Sequence, residues 1–136
     1  MKTYIEEENM SYIADYTNTY DIRGHEIEIT APARFDDRTH EVIPDLELDD
    51  QAVKLALEKF RKIYDVVSPE QMKALRKKWH LSQRKFAKVL GWSSSTVALY
   101  EAGAVPTNGN NRLLKILIKD DKVMKEFIED SQKSEL

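Results

Sequence analysis

The sequence predicts an α+β protein: a small N-terminal β-hairpin unit, a linker helix, and then an all-α domain of five helices. Three observations predict it. Between Thr19 and Ala33 apolar and polar residues alternate with period two, as in half-buried strands. From residue 50 onward the apolar spacing changes to i, i+3, i+4, i+7, the mark of amphipathic helices. The charge changes with it. Residues 1–50 hold 4 Lys/Arg against 14 Asp/Glu, a balance of −10, whereas residues 68–119 hold 10 against 2, a balance of +8. Halves so unlike are expected to have different partners.

Taken in order, residues 1–18 are polar with Tyr4, Ile5, Tyr12, Ile13 and Tyr16 scattered among them. They are compatible with an arm, a short strand or an appendage. Tyr20 and Ile22, then Arg23-Gly24, then Ile27 and Ile29 predict two strands around a tight turn. Val42-Ile43 predicts a short third strand. In residues 50–64 Val53, Ala56, Leu57, Phe60, Ile63 and Tyr64 form the apolar stripe of a helix, with Asp49 and Asp50 placed to cap it and to favour its positive end. The expected domains are an acidic β-rich unit (1–49), a linker helix (50–66), a basic helical domain (67–130) and a tail (131–136).

The basic domain is punctuated by helix signals. Ser68-Pro69-Glu70-Gln71 combines a cap, a proline at the first helical position and the glutamine of a capping box, so a helix runs to about Trp79. Ser82 starts a second, which buries Phe86, Val89 and Leu90 and stops at Gly91. Ser93 caps a third, carrying Val97 and Tyr100 inward, which ends at Gly103 with Pro106 beyond. A fourth spans 110–118 and a fifth 120–129. Two short helices joined around Gly91 form the helix-turn-helix pattern, whose second helix enters the DNA major groove.

These residues carry a resemblance. Leu81-Ser82-Gln83, Phe86-Ala87, Leu90-Gly91-Trp92, Ser95-Thr96-Val97 and Tyr100-Glu101-Ala102-Gly103 followed by Pro106 resemble the Cro/phage-repressor (XRE-type) helix-turn-helix domain, over about 50 residues. Upstream, Tyr20-Asp21-Ile22-Arg23-Gly24, the Ile27/Ile29 strand, the Leu48–Tyr64 helix and Ser68-Pro69-Glu70-Gln71 resemble the MqsA (YgiT-type) antitoxin arrangement, a β-unit ahead of the DNA-binding domain. That family holds zinc in the β-unit through two Cys-x-x-Cys pairs. This chain has no cysteine, and His25 and His40 alone fall short of a zinc tetrad, so no metal and no cofactor is expected.

The resemblance implies site residues. Gln83 matches the glutamine that contacts a DNA phosphate at a helix start, with Arg84 beside it. Ser93, Ser94, Ser95, Thr96 and Leu99 lie on or at the start of the recognition helix, Ser94, Ser95 and Leu99 in base-facing positions. Serine reads bases weakly and leucine contacts only apolar groups such as the thymine methyl. Leu99 departs from the family, which commonly has Arg there. Lys85, Lys88, Arg112 and Lys115, with the amides of Asn108, Asn110 and Asn111, are further candidates for phosphate contact. Glu101 is read as an acid that pairs inside the domain, Phe86 and Trp92 as core, and His80 as a turn or surface residue.

No Gly-rich phosphate loop, thiol nucleophile or His-x-x-x-His spacing points to an enzyme. No apolar run of signal-peptide or membrane-spanning length is present, so a cytoplasmic location and no membrane partner are expected. The resulting expectation is a sequence-specific, dimeric repressor on double-stranded operator DNA, the antitoxin of a type II toxin–antitoxin pair, whose acidic N-terminal part neutralises a basic toxin. The alternative is a protein-interaction or inhibitor module whose helix-turn-helix has lost DNA specificity.

Overall fold

The structure is a computed structural model and describes residues 10–133. The chain divides into two compact units, residues 1–64 and 65–136. Among the described residues the first has three strands in one antiparallel sheet, ordered as in the chain, and one helix, and the second has five helices. No helix among the described residues is long and apolar enough to cross a membrane.

In the first unit β1 (Ser11–Ile22) and β2 (His25–Asp36) form a hairpin in unbroken register from Ser11↔Asp36 to Ile22↔His25. The two-residue turn has φ 55° at Arg23 and 81° at Gly24. That left-handed pair matches the twist of the strands it joins. Asp21 fixes the turn by accepting the Gly24 N–H at 2.9 Å. Residues 11–18 are therefore strand, a choice the sequence left open. Pairing explains it: alternate residues of β2, Ile27, Ile29, Ala31 and Ala33, are buried, and on the same face Tyr20 lies opposite Ile27, Tyr16 opposite Ala31 and Tyr12 opposite Phe35. β3 (Val42–Ile43) pairs with Arg34 and Phe35, as the apolar pair predicted.

Helix α1 (Leu46–Tyr64) starts four residues earlier than its apolar spacing indicated. Asp45 caps it, accepting the Leu48 N–H at 3.0 Å, while the Asp49 carboxylate accepts the Asp45 N–H at 3.1 Å. Asp49 thus supplies the return half of the cap from inside the helix, and Asp50 pairs with Lys54 at 3.2 Å. The stripe is rotated too. Ala52, Ala56 and Phe60 are buried, whereas Val53, Ile63 and Tyr64 are exposed. Small residues at 52 and 56 let the helix lie close on β2, where Ala31 and Ala33 are also small. The two histidines serve this unit locally: His25 stacks on Tyr64 with centroids 4.1 Å apart, and His40 hydrogen-bonds the Tyr12 hydroxyl at 3.0 Å.

Asp45 also accepts from Arg34 at 2.8 Å. The Leu48 N–H, then the Arg34 guanidinium, hold its carboxyl below the ordinary value. A lowered folded pKa contributes stability above the ordinary carboxylate pKa and loses it as pH falls through the lowered value. Asp45→Asn keeps a capping oxygen but removes the charge. It is expected to shift the urea midpoint down at neutral pH, with the gap to the unaltered chain closing as both are acidified below the ordinary carboxylate pKa. A gap that stays constant with pH would show the carboxylate charge to be irrelevant.

The second unit comprises α2 (Pro69–Lys78), α3 (Gln83–Leu90), α4 (Ser94–Glu101), α5 (Asn108–Lys119) and α6 (Asp121–Lys133). Its core gathers Met72 and Leu75 of α2, Phe86 of α3, Val97 of α4, Leu114 and Leu117 of α5 and Met124 of α6, with Trp79 and Trp92 packed against it. The local signals operate as expected. Ser68 and Gln71 form the capping box, at 3.1 and 2.9 Å, and Ser82 and Ser93 cap α3 and α4. Gly91 ends α3 at φ 74°, with the Trp92 N–H returning to the Ala87 carbonyl at 2.8 Å. Two boundaries differ from the sequence reading. Thr107 caps α5, which begins at Asn108, two residues ahead of the expected start at 110, so Asn108 lies in its first turn. α6 continues to Lys133, where a tail was expected from 131.

Candidate nucleic-acid interface

Helices α3 and α4, eight residues each, are joined by only three residues, Gly91–Ser93. The spacing of buried side chains fixes how α4 sits. Val97 is fully buried and Glu101 is 5% exposed, which turns one side of the helix inward. The opposite side presents Ser94, Ser95, Ala98, Leu99 and Ala102, all exposed. This strip is uncharged, its residues small except for Leu99, which at 60% exposure is its most apolar member.

A buried ion pair locks α4 in place. Arg76 of α2 donates through Nε and Nη2 to the two carboxylate oxygens of Glu101, both at 2.9 Å, and through Nη1 to the Leu81 carbonyl at 3.1 Å. The Glu101 carboxylate, hydrogen-bonded to it, raises the Arg76 pKa above its ordinary value, which favours the charged guanidinium. Glu101 is therefore the internally paired acid that the sequence predicted. Its partner is the residue the sequence reading missed. Arg76 is the single arginine among the cations of α2, where Lys73, Lys77 and Lys78 are lysines. Only a guanidinium offers the planar fork that meets a carboxylate two-to-two.

The other candidate residues divide into exposed and engaged groups. Gln83 is exposed at the start of α3, and its Nε2 donates to the Glu101 Oε1 at 3.4 Å. Arg84, Lys85 and Arg112 are exposed and enter no ion pair among the described residues. Lys115 does, with Asp65 at 2.5 Å. The Ser93 hydroxyl is occupied as a cap, 3.2 Å from the Thr96 N–H and 3.0 and 2.8 Å from the hydroxyls of Ser95 and Thr96. Asn110 is turned inward: its Nδ2 donates to the Tyr100 hydroxyl at 2.9 Å, tying α5 to the end of α4. Asn111 likewise braces the domain entrance, accepting the Val67 N–H at 2.8 Å. Asn108 is exposed in the first turn of α5. Gln83, Arg84 and Lys85 on α3, the outward strip of α4, and Asn108 and Arg112 on α5 are thus the candidates left facing solvent.

Among the described residues no group of three or more His, Cys, Asp or Glu is arranged to hold a metal ion. The chain matches no protein-family model and no curated protein.

Proposed function

We propose that residues 65–136 form a helix-turn-helix DNA-binding domain of the Cro/phage-repressor kind, and that the whole chain is an antitoxin-like, cytoplasmic transcriptional repressor resembling MqsA. The observation that carries this reading is the exposed, uncharged strip of α4, held by the Arg76–Glu101 pair and accompanied by exposed cations on α3 and α5. A smooth helix face suits entry into the major groove, and the cations and the N–H groups at the start of α3 suit the phosphates on either side. Two copies on half-sites one helical turn apart would let two weakly reading modules act as one. The acidic N-terminal unit would capture a basic protein partner, such as a toxin whose own RNA-binding face attracts Asp and Glu.

One observation favours a second reading. An apolar Leu99 at 60% exposure, where a base-reading arginine would be expected, suits a protein contact. The two readings part in a salt-resolved anisotropy titration of the full chain against the DNA upstream of its own gene and a scrambled duplex. The repressor reading expects preference for the upstream DNA of roughly 10³ or more. It also expects a log–log salt slope of about −0.9 per phosphate contacted. Equal, weak binding to both duplexes would discard it in favour of the protein-interaction module.

A further inference from the structure

We propose that the free edge of β1 is a strand-addition site, which takes an extended segment of a partner protein with alternating basic and apolar side chains. This rests on the reading that the acidic unit captures a basic protein, and it specifies where and how.

Among the described residues β1 is the edge of the sheet, with β2 its only neighbour there. Its backbone polarity can be assigned residue by residue. The Met10 carbonyl accepts the Asp37 N–H at 2.7 Å, and the Ile22/His25 pair closes the two-residue turn, so even-numbered residues of β1 bond inward to β2. Odd-numbered residues then point their N–H and C=O groups away from the sheet. The Thr19 N–H agrees: its acceptor is the side chain of Asn18, not β2. Ile13, Asp15, Thr17 and Asp21 are left presenting backbone donors and acceptors along one unbulged edge, with no element beside it among the described residues.

The far edge of the same hairpin is closed by contrast. On β2 the even-numbered residues face outward, and there Pro32 has no N–H to offer. The Lys59 ammonium covers the Glu28 carbonyl at 2.6 Å, and β3 occupies Arg34 and Phe35. One edge is blunted three ways, while the other keeps its ladder open. An open edge of this length is a pairing template.

The side chains define what can pair. On the face shared by odd β1 and even β2 residues, Asp21 stands opposite Glu26 with Glu28 next along β2, and Asp15 lies further along β1, opposite Pro32. The cation of that face, Arg34, is already bonded to Asp45 and Ser11. Lysine or arginine at alternate positions of an incoming strand would meet these carboxylates. On the opposite face Tyr16, Asn18 and Tyr20 line a groove of about 310 Å³ against Ile43, Pro44 and Ala52. Apolar side chains of the same incoming strand would fall there. Backbone pairing supplies affinity and the two faces supply selectivity, the division found in strand-addition complexes.

The test uses the full chain and a short end-capped peptide that alternates Lys with Val, compared with a copy N-methylated at alternate amides and a copy with Glu in place of Lys. The expected result is binding of the Lys peptide with new amide-exchange protection at Ile13, Asp15, Thr17 and Asp21. N-methylation, which deletes several backbone bonds, is expected to weaken binding at least ~10-fold. Thr17→Pro, which removes one outward N–H, and the pair Asp15→Lys with Asp21→Lys should each weaken it. Equal binding of the methylated peptide would overturn strand addition and leave charge-driven capture standing. Failure of every Lys peptide to bind would overturn both. Concentration-dependent protection of the same amides without peptide would also overturn the proposal, because the edge would then belong to a second copy of this chain.

Discussion

Replacing Glu101 with Ala is expected to destabilise the 65–136 unit by about 3–5 kcal/mol, because it leaves the Arg76 guanidinium buried without its counter-charge. Arg76 is 17% exposed and Glu101 3% by side chain, so water cannot substitute for the lost carboxylate. A domain of this size is stabilised by only ~5–15 kcal/mol in total, so the loss is a large fraction. Both tryptophans of the chain, Trp79 and Trp92, lie in this unit, and their fluorescence in a denaturant titration reports on it alone. Arg76→Met combined with Glu101→Leu removes both charges and should recover most of the loss. A Glu101→Ala midpoint within 0.5 kcal/mol of the unaltered chain, a range ordinary for surface substitutions, would mean that the pair does not hold α4 in place.

This pair also shows where reading the sequence stops. Signals confined to a few adjacent residues were legible: the capping box at Ser68–Gln71, the Ser82 and Ser93 caps, the left-handed stop at Gly91 and the Arg23-Gly24 turn all act within four residues of themselves. Glu101 was recognisable as an internal acid, but Arg76 lies 25 positions away and is one cation among several on α2. The sheet hid itself for a different reason. No residue of β1 is fully buried, and the even-numbered face that meets the core side of β2 is mostly tyrosine and asparagine, so its first half carries no strong period. In α1 two of the three buried residues are Ala52 and Ala56, quieter in sequence than the exposed Val53, Ile63 and Leu46 around them. Beside Phe60, small residues take buried positions here while larger apolar neighbours stay exposed. Within the candidate interface, Asn110 resembled a phosphate ligand because nothing local reveals that the Tyr100 hydroxyl takes its amide.

The second large effect is expected from reversing the two exposed cations at the start of α3. Arg84→Glu with Lys85→Glu should reduce the magnitude of the log–log salt slope of DNA binding by about two, one per phosphate contact removed. Upstream and scrambled duplexes should weaken together, because phosphate contacts position the domain without reading bases. Folding should be nearly unaffected, since both side chains are exposed and unpaired among the described residues. Leu99→Arg works in the other direction. It places a two-donor fork on the outward strip of α4 and should add about 1–3 kcal/mol of discrimination for a duplex that presents guanine there. The two variants together separate the roles of the surface. If charge reversal lowers affinity for both duplexes and Leu99→Arg raises only the ratio between them, α3 anchors and α4 reads. If charge reversal leaves DNA binding unchanged, the cations of α3 are a solvated face, and Leu99 belongs to a protein contact. Capture of a basic partner by the acidic N-terminal unit should then persist in both variants, because neither alters residues 1–64.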